Sequence, residues 1–424
     1  MRYSRLALFL PGVAAADPLD TFGFGARASA LAGAVTADAT GAGAVYDNPA
    51  GLPLGERVEL SVGWGYGHLG LRVDGNDARV LDAHGVDFGL AVPWKMGSVR
   101  AAVGLALYLP DQFIARVQLV PATEPHFVLL DNDIHRVTVV PAVAVAFTDW
   151  LSIGGGASIL VDAVGNGIQF DVGVVGGEPI GQGKVDVSLP PRVAPIVGLR
   201  LTPHPRVRFG ASWRAKVDLA MQLAILANVD VAGVVSGDAL IDLQALNFFT
   251  PERYTAGLAV DVLPELTVTA EASFVRWSAF RGGAPDVNIL IALGIEPPLV
   301  DTLFPDDNFH DTFIARAGVE WRVATERIDW AARAGYAYQP SPVPAQIGLT
   351  SFADNDRHVV ALGAGARLGL FQPILTHPVT FDLALQWHHL RDRLTLKDQT
   401  LFPGRSFSSG GEILRASATA TVEF

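Results

Sequence analysis

Apolar and polar residues alternate with a period of two over much of the chain. In 207–219 the odd positions are Val207, Phe209, Ala211, Trp213, Ala215, Val217 and Leu219, against Arg208, Gly210, Ser212, Arg214, Lys216 and Asp218. In 313–323, Phe313, Ala315, Ala317, Val319, Trp321 and Val323 alternate with Arg316, Gly318, Glu320 and Arg322. The stretches 266–274 and 379–387 behave alike. Strict alternation is the mark of a strand whose two faces meet different surroundings. The strands so predicted are 57–68, 84–94, 99–109, 134–147, 150–162, 191–202, 206–221, 252–262, 266–280, 311–323, 327–339, 357–371, 378–396 and 411–424.

Soluble sandwiches also alternate, so three further features decide the class. Most of these strands exceed the five or six residues (about 17–20 Å) usual in soluble proteins. They match the roughly 9–11 residues that a tilted transmembrane strand needs. The connections alternate short and long. Short ones lie near 95–98, 148–149, 203–205, 263–265, 324–326 and 372–377; long ones near 69–83, 110–133, 163–190, 222–251, 281–310, 340–356 and 397–410. Short periplasmic turns and long outer loops produce that rhythm. Trp94, Tyr108, Trp150, Trp277, Trp330 and Tyr338 sit near strand ends, as interfacial girdles require. The prediction is an all-β protein, a transmembrane antiparallel β-barrel of about 14 strands, the even number leaving no edge unpaired in lipid.

Composition narrows the class further. Half of the 424 residues are hydrophobic, yet no apolar run is long enough for a membrane helix. The chain has no cysteine, which removes disulfide scaffolds and thiolate metal sites. A formal charge of −12 without a basic stripe argues against nucleic acid as a partner. Arg2 and Arg5, the apolar stretch Leu6 to Val13 and Ala14-Ala15-Ala16 read as a secretory signal peptide over 1–16. The barrel is assigned to 57–424, and its last strand, 411–424, ends on Phe424.

Residues 17–56 do not alternate and are rich in Gly and Ala. A barrel of about fourteen strands is too wide for side chains alone to fill. This segment is therefore predicted to be an N-terminal hatch, or plug, inside the lumen. Here the chain resembles the FadL family of outer-membrane transporters for long-chain fatty acids and toluene-type hydrocarbons. The resemblance rests on Gly23 to Arg27 with Gly33-Ala34, on Asn48-Pro49-Ala50-Gly51-Leu52, and on Pro251-Glu252-Arg253-Tyr254. It continues through Trp277-Ser278-Ala279-Phe280, Arg333 to Tyr338 with Ser341-Pro342-Val343-Pro344, and Asp354 to Arg357. It implies fourteen strands and a hatch. It also implies passive uptake of a hydrophobic ligand across the outer membrane of a Gram-negative bacterium, with hatch movement and lateral exit near a kink in the third strand. Gly104 is the residue of that strand suited to a kink.

Asn48, Pro49 and Ala50 are then expected to form a ligand-responsive part of the hatch. Phe22 and Phe24 read equally as packing residues and as ligand-lining ones. A fatty-acid carboxylate would need a cation in the lumen, because an unpaired buried charge is costly. Arg214, Lys216 and Arg316 are the candidates, with Arg208, Arg322 and Arg333 also on polar faces; each could instead pair with an acid such as Asp218, Glu271 or Glu320. The apolar stretch 221–249 reads as an outer-loop landing groove or as packed helices, and 113–130 and 289–304 read alike.

No catalytic arrangement stands out, and no cofactor or metal is expected. His388 and His389 point to opposite faces of one strand, and the acids at 131–133 and 306–308 read as solvated turns rather than calcium sites. The expected partners are a hydrophobic small molecule, outer-membrane lipid and lipopolysaccharide, and the barrel-insertion machinery, with the protein itself a monomer. A structural or adhesive barrel without transport is the alternative. A general porin or an outer-membrane lipase or protease fits less well.

Overall fold

The computed structural model describes residues 18–110, 124–130, 137–161, 164–175, 178–188, 191–231, 235–280, 286–292, 308–326, 328–346, 350–369, 377–397 and 405–424. Fourteen strands form one closed antiparallel barrel. They are β1 (Glu59–Val73), β2 (Ala83–Met96), β3 (Val99–Pro110), β4 (Thr138–Ala146), β5 (Leu151–Val161), β6 (Pro191–His204) and β7 (Val207–Arg214). The second half is β8 (Glu252–Leu263), β9 (Leu266–Arg276), β10 (Thr312–Ala324), β11 (Ile328–Gln339), β12 (Arg357–Leu368), β13 (Val379–Thr395) and β14 (Phe407–Glu423). Each strand pairs with its sequence neighbour in the barrel, and β1 closes the ring by pairing with β14, from Glu59↔Glu423 to Val73↔Ser409. Every predicted strand has its counterpart. The differences are at ends: the first runs on to Val73, and the strand expected over 206–221 leaves the barrel at Arg214.

Burial inverts the soluble pattern. Phe313 is 68% exposed, Leu385 64% and Trp321 55%, all on the outward face, whereas the inward Glu320 is 2% exposed and His388 0%. A wall that shows apolar side chains outward and hides charged ones can be stable only in lipid. Trp94, Trp150 and Trp330 lie on that outward face as expected. Tyr108 and Trp277 do not belong to the girdle, because both side chains are buried inside the molecule.

Five further strands form a separate sheet. Val217–Val231 pairs with Val235–Thr250, which pairs with Asp286–Ala292; on its other side Val217–Val231 runs parallel to Val164–Val175, itself paired with Glu178–Ser188. The long connections 163–190 and 222–251 are therefore largely sheet, 281–310 contributes the strand Asp286–Ala292, and 221–249 forms neither an irregular groove nor a helix pair. The sequence carries the reason: Val217, Leu219, Met221, Leu223, Ile225, Ala227, Val229 and Val231 keep a period of two. The apolar content of this stretch conceals that alternation. Residues 1–16, 113–123 and 293–304 lie outside the described residues, as do the acids at 131–133, 306 and 307.

Residues 18–54 form three short helices, α1 (Pro18–Phe22), α2 (Gly25–Ala30) and α3 (Gly41–Asp47), followed by a 3-10 turn at Pro49–Leu54. These elements contact strands round much of the ring: α2 touches β11, β12, β13 and β14, α3 touches β2 and β3, and the 3-10 turn touches β3 to β6. The wall supplies the space where it lacks side chains. A Cβ at Gly335 in β11 would collide with the backbone of Leu31, and one at Gly198 in β6 with the Asn48 side chain.

Candidate functional site

Charge fastens the N-terminal segment to one side of the wall. Arg27 on α2 donates to Glu320 of β10 at 3.0 Å and to Asp38 at 2.7 Å. Asp38 is also 2.9 Å from Arg208 of β7, which forks onto Asp261 at 2.5 and 2.6 Å. Glu320 accepts from Arg333 of β11 at 2.5 Å, and Arg333 reaches Asp382 of β13 at 2.6 Å. The Thr36 amide donates to Glu271 of β9 at 3.0 Å. On the opposite side the polar atoms that face the segment are less satisfied. Asp87 Oδ2, Arg415 Nε and Nη1, Ser417 Oγ and His388 Nδ1 are buried without a hydrogen-bond partner among the described residues. Buried polar atoms of this kind call for water in that seam.

Asn48 is fully buried, and its side chain ties three pieces of chain together. Its amide donates to Thr36 O at 2.8 Å and to Leu199 O of β6 at 3.1 Å, while its oxygen accepts from Ala50 N at 3.2 Å. Ala50 O in turn accepts from Ser152 of β5 at 2.5 Å. Pro49 occupies the first turn of the 3-10 helix, where its missing N–H leaves nothing unsatisfied. The motif thus docks against β5 and β6. Phe22 and Phe24 both pack in the interior, and each also borders a cavity. Phe22 sits among Leu69, Leu71, Phe127 and Phe407 with the Arg415 guanidinium 4.4 Å from its ring centre, and Phe24 stacks on Tyr46 at 6.1 Å.

Gly104 lies in an unbroken ladder, opposite Ala91 of β2 and Ala142 of β4. No interruption of the wall coincides with it. Its missing Cβ makes room for Val45, whose Cγ2 would otherwise be 2.5 Å away. An interruption of the wall falls one pair of strands further on. Between β4 and β5 the ladder runs Thr138↔Leu160 and Val139↔Ile159, then resumes at Ala142↔Gly156 in the same register. Pro141, which has no N–H to give, stands in the gap.

The three candidate cations all have acidic partners. Arg214 donates to Asp20 at 2.8 Å and to Tyr46 O at 2.6 Å. Arg316 donates to Glu271 at 3.0 Å, and Lys216 pairs with Asp218 at 2.8 Å on the exposed surface. Arg214 and Arg316 meet in one cavity of about 60 Å³ with Asp20, Asp47, Arg253 and Glu271; Lys216 stays outside it. Burial alone would raise Asp20, but Arg253, Arg214 and the Tyr46 hydroxyl hold its carboxyl below the ordinary range. Asp47 goes the other way: burial, reinforced by the Glu271 charge, pushes it up to about 7.

A second cavity of about 60 Å³ lies towards the long connections, between Leu129, Val275, Trp277 and Ile314 on one side and Arg357 on the other. Phe249, Phe280, Phe309 and Phe352 extend its apolar wall into one aromatic cluster, with Phe280 and Phe309 4.5 Å apart. Arg357 donates to Gln339, and its Nη1 is buried with no hydrogen-bond partner among the described residues. At the short-turn end the lumen opens into a vestibule of about 530 Å³ lined by Arg27, Glu59, Arg333 and Asp382. The narrow cavities and the vestibule are separated by residues 18–54.

A model of outer membrane transport proteins of the OMPP1/FadL/TodX type matches residues 11–370. The chain belongs to that family. Solved structures similar to it include a Pseudomonas aeruginosa FadL homologue, at 13% identity and a TM-score of 0.60 over 95% of this chain and 98% of that one. The Ralstonia pickettii toluene transporter TbuX aligns at 17% identity and 0.53, covering 96% and 100%. The P. putida toluene transporter TodX aligns at 14% and 0.54, covering 96% and 99%. Comparison with curated sequences finds no match. Family membership places the barrel in the outer membrane. Its kind are transporters and channels rather than enzymes.

Charged residues lining these cavities that sequence reasoning did not single out as site residues include Asp20, Asp47, Arg253 and Arg357. Asp20 and Asp47 lie in the non-alternating segment, where no periodicity tells inward from outward. Arg253 and Arg357 stand at strand starts, where alternation has too few residues to assign a face.

Proposed function

We propose that this chain admits a hydrophobic small molecule passively through the outer membrane, with residues 18–54 acting as a hatch. Ligand enters the apolar cavity beside Trp277 and Ile314, displaces the hatch, and leaves sideways through the gap beside Pro141. The observation that carries this reading is the division of the lumen: two cavities of about 60 Å³ lie on one side of the segment and a vestibule of about 530 Å³ on the other. Such narrow cavities suit a few waters, so a ligand of fatty-acid size requires the segment to move. Asn48-Pro49-Ala50 supports the exit route, because it rests against β5 and β6 next to the interrupted ladder. The Arg357 Nη1, buried without a hydrogen-bond partner among the described residues, favours a ligand with a carboxylate at one end, since an anion there would complete the guanidinium's hydrogen bonds.

The test is a reversible lock. A Cβ at Gly257 in β8 would lie 3.5 Å from the Ala37 Cβ, a separation that accepts a disulfide. The chain has no cysteine of its own, so Ala37→Cys with Gly257→Cys gives a single bridge. Uptake of labelled oleate and toluene into cells or proteoliposomes should stop on oxidation and return on reduction. Unchanged uptake by the fully oxidised protein sinks the hatch reading.

A further inference from the structure

The arginines of the lumen differ in where their acids come from. Arg208, Arg316 and Arg333 each pair with a carboxylate on the barrel wall itself, Asp261, Glu271 and Asp382 in turn. Arg253 does not. Among the described residues the acid it pairs with is Asp20 of α1, at 2.9 Å, which belongs to the segment that the uptake reading requires to move. Arg253 stands near the start of β8 directly opposite Arg214 at the end of β7. Like charges facing each other across a ladder repel. An anion placed against both guanidiniums relieves that repulsion.

Asp20 supplies the anion. Its side chain is 7% exposed, and its Oδ1 accepts from Arg214 at 2.8 Å, from Arg253 at 2.9 Å and from the Tyr46 hydroxyl at 2.7 Å. Three donors converging on one oxygen, two of them charged, are what the carboxylate of a bound ligand would meet here. Residues 18–54 also bring Asp47 to the same cavity. Once they leave, the charged residues lining it are Arg214, Arg253 and Arg316 against Glu271. A neutral ligand that displaced the segment would leave this positive excess uncompensated, and an anionic one would not.

A route to the exchange is built in as well. Asp20, Thr21, Arg253 and Gln339 line both narrow cavities, so the two adjoin here. In the second cavity Arg357 donates to Gln339 and has its Nη1 without a hydrogen-bond partner among the described residues. Arg253 Nε is buried without one too, while its Nη1 holds Asp20. An incoming carboxylate can therefore pass from Arg357 to Arg253 Nε before Asp20 is released, and Arg253 then holds both anions for the moment of exchange.

We propose that Asp20 is a built-in stand-in for the ligand's carboxylate, and that an acidic ligand opens the hatch by taking its place on Arg253 and Arg214. The proposal rests on the uptake reading and narrows its substrate class, favouring long-chain molecules with a carboxylate at one end over neutral hydrocarbons. The wall trades one ion pair for another, while the hatch loses its anchor at α1.

The test compares oleate with oleyl alcohol, which has the same chain and no charge. Both are offered to the delipidated full chain in dodecylmaltoside at about pH 8, where a carboxylic acid is ionised. Hatch opening is read by amide hydrogen exchange in peptides from 25–45, and affinity by binding of radiolabelled oleate. Oleate should speed exchange in these peptides at least about tenfold, and oleyl alcohol should not. Asp20→Asn keeps the shape of the side chain and removes the competing charge. It should speed exchange without ligand, abolish the further rise on adding oleate, and tighten oleate binding about fivefold or more, because the closed hatch no longer competes. Tyr46→Phe takes one donor from Asp20 without touching the wall, and should move exchange and affinity in the same directions by less. Heat-modifiable gel mobility verifies that each variant is a folded barrel. An Asp20 that merely braces the structure predicts faster exchange in Asp20→Asn with oleate affinity unchanged or weaker. That result, or equal opening by oleyl alcohol, overturns the proposal. The disulfide lock keeps the two readings apart: if oxidation stops uptake while either of these results is found, the hatch stands and the exchange at Asp20 falls.

Discussion

Replacing Glu320 by Gln tests whether charge holds the N-terminal segment shut. Glu320 is 2% exposed and accepts from Arg27 at 3.0 Å and from Arg333 at 2.5 Å. Glutamine keeps the size and one acceptor but removes the negative charge shared by Arg27, Arg333 and the more exposed Arg322. Breaking a buried pair from one side costs about 3–5 kcal/mol. Arg333 keeps Asp382 and Arg27 keeps Asp38, so the lower end, about 3 kcal/mol, applies to the segment's docking. At about 1.4 kcal/mol per decade, the opening equilibrium of the segment should rise roughly a hundredfold. Amide hydrogen exchange in peptides from 25–48, followed by mass spectrometry, reads that equilibrium directly. Peptides from β13 and β14 should not change. Arg322→Gln is the control, because Arg322 is 58% exposed and its pair with Glu320 is screened; its effect should stay within about 1 kcal/mol. If exchange in 25–48 is the same in Glu320→Gln and wild type, or rises equally in Arg322→Gln, the ion-pair account of closure is refuted.

Asp47 gives the segment a pH dependence. Its carboxyl is raised to about 7 when docked and has an ordinary value near 4 when released. Docking therefore binds a proton, and Asp47's contribution is fully present below pH 4 and lost as the pH rises through about 7. Exchange in 41–48 should be slower at pH 5 than at pH 7.5 after correction for intrinsic rates, and Asp47→Asn should flatten that difference. Arg357→Met should lower oleate uptake about tenfold or more and leave toluene uptake unchanged; an equal loss of both substrates contradicts a carboxylate partner. Pro141→Val restores the missing N–H beside the interrupted ladder. It should slow uptake while leaving heat-modifiable mobility intact, and full uptake speaks against exit at that point. Leu385→Arg puts a charge on the lipid face and should cost about 2–4 kcal/mol of barrel stability, read from urea titration in lipid vesicles.

The fourteen strands could be read from the sequence because a membrane barrel writes its two environments into every second residue. In β10, Phe313, Val319 and Trp321 meet lipid while Arg316 and Glu320 meet the lumen, so period and length together imply both class and count. The family resemblance was legible too, in short motifs such as Asn48-Pro49-Ala50. The outer sheet was missed, although 217–231 alternates, because its high apolar content resembles a groove or packed helices.

Partnership was decided only in three dimensions. Alternation puts Arg214, Arg316 and Arg333 on the lumen face and offers Glu271 and Glu320 as possible partners, but nothing along the chain assigns Asp20 to Arg214, Glu271 to Arg316 or Glu320 to Arg333. Those contacts join residues up to 194 positions apart, and the longest depends on how a segment without periodicity threads the ring. The same holds for Gly104, where the sequence suggests a bend and the fold uses the missing Cβ to seat Val45. Local sequence records what each residue faces, water, lipid or lumen, because solvation acts on one residue at a time. Which charge meets which, and where the wall is left unpaired, depends on closure of the whole barrel around residues 18–54.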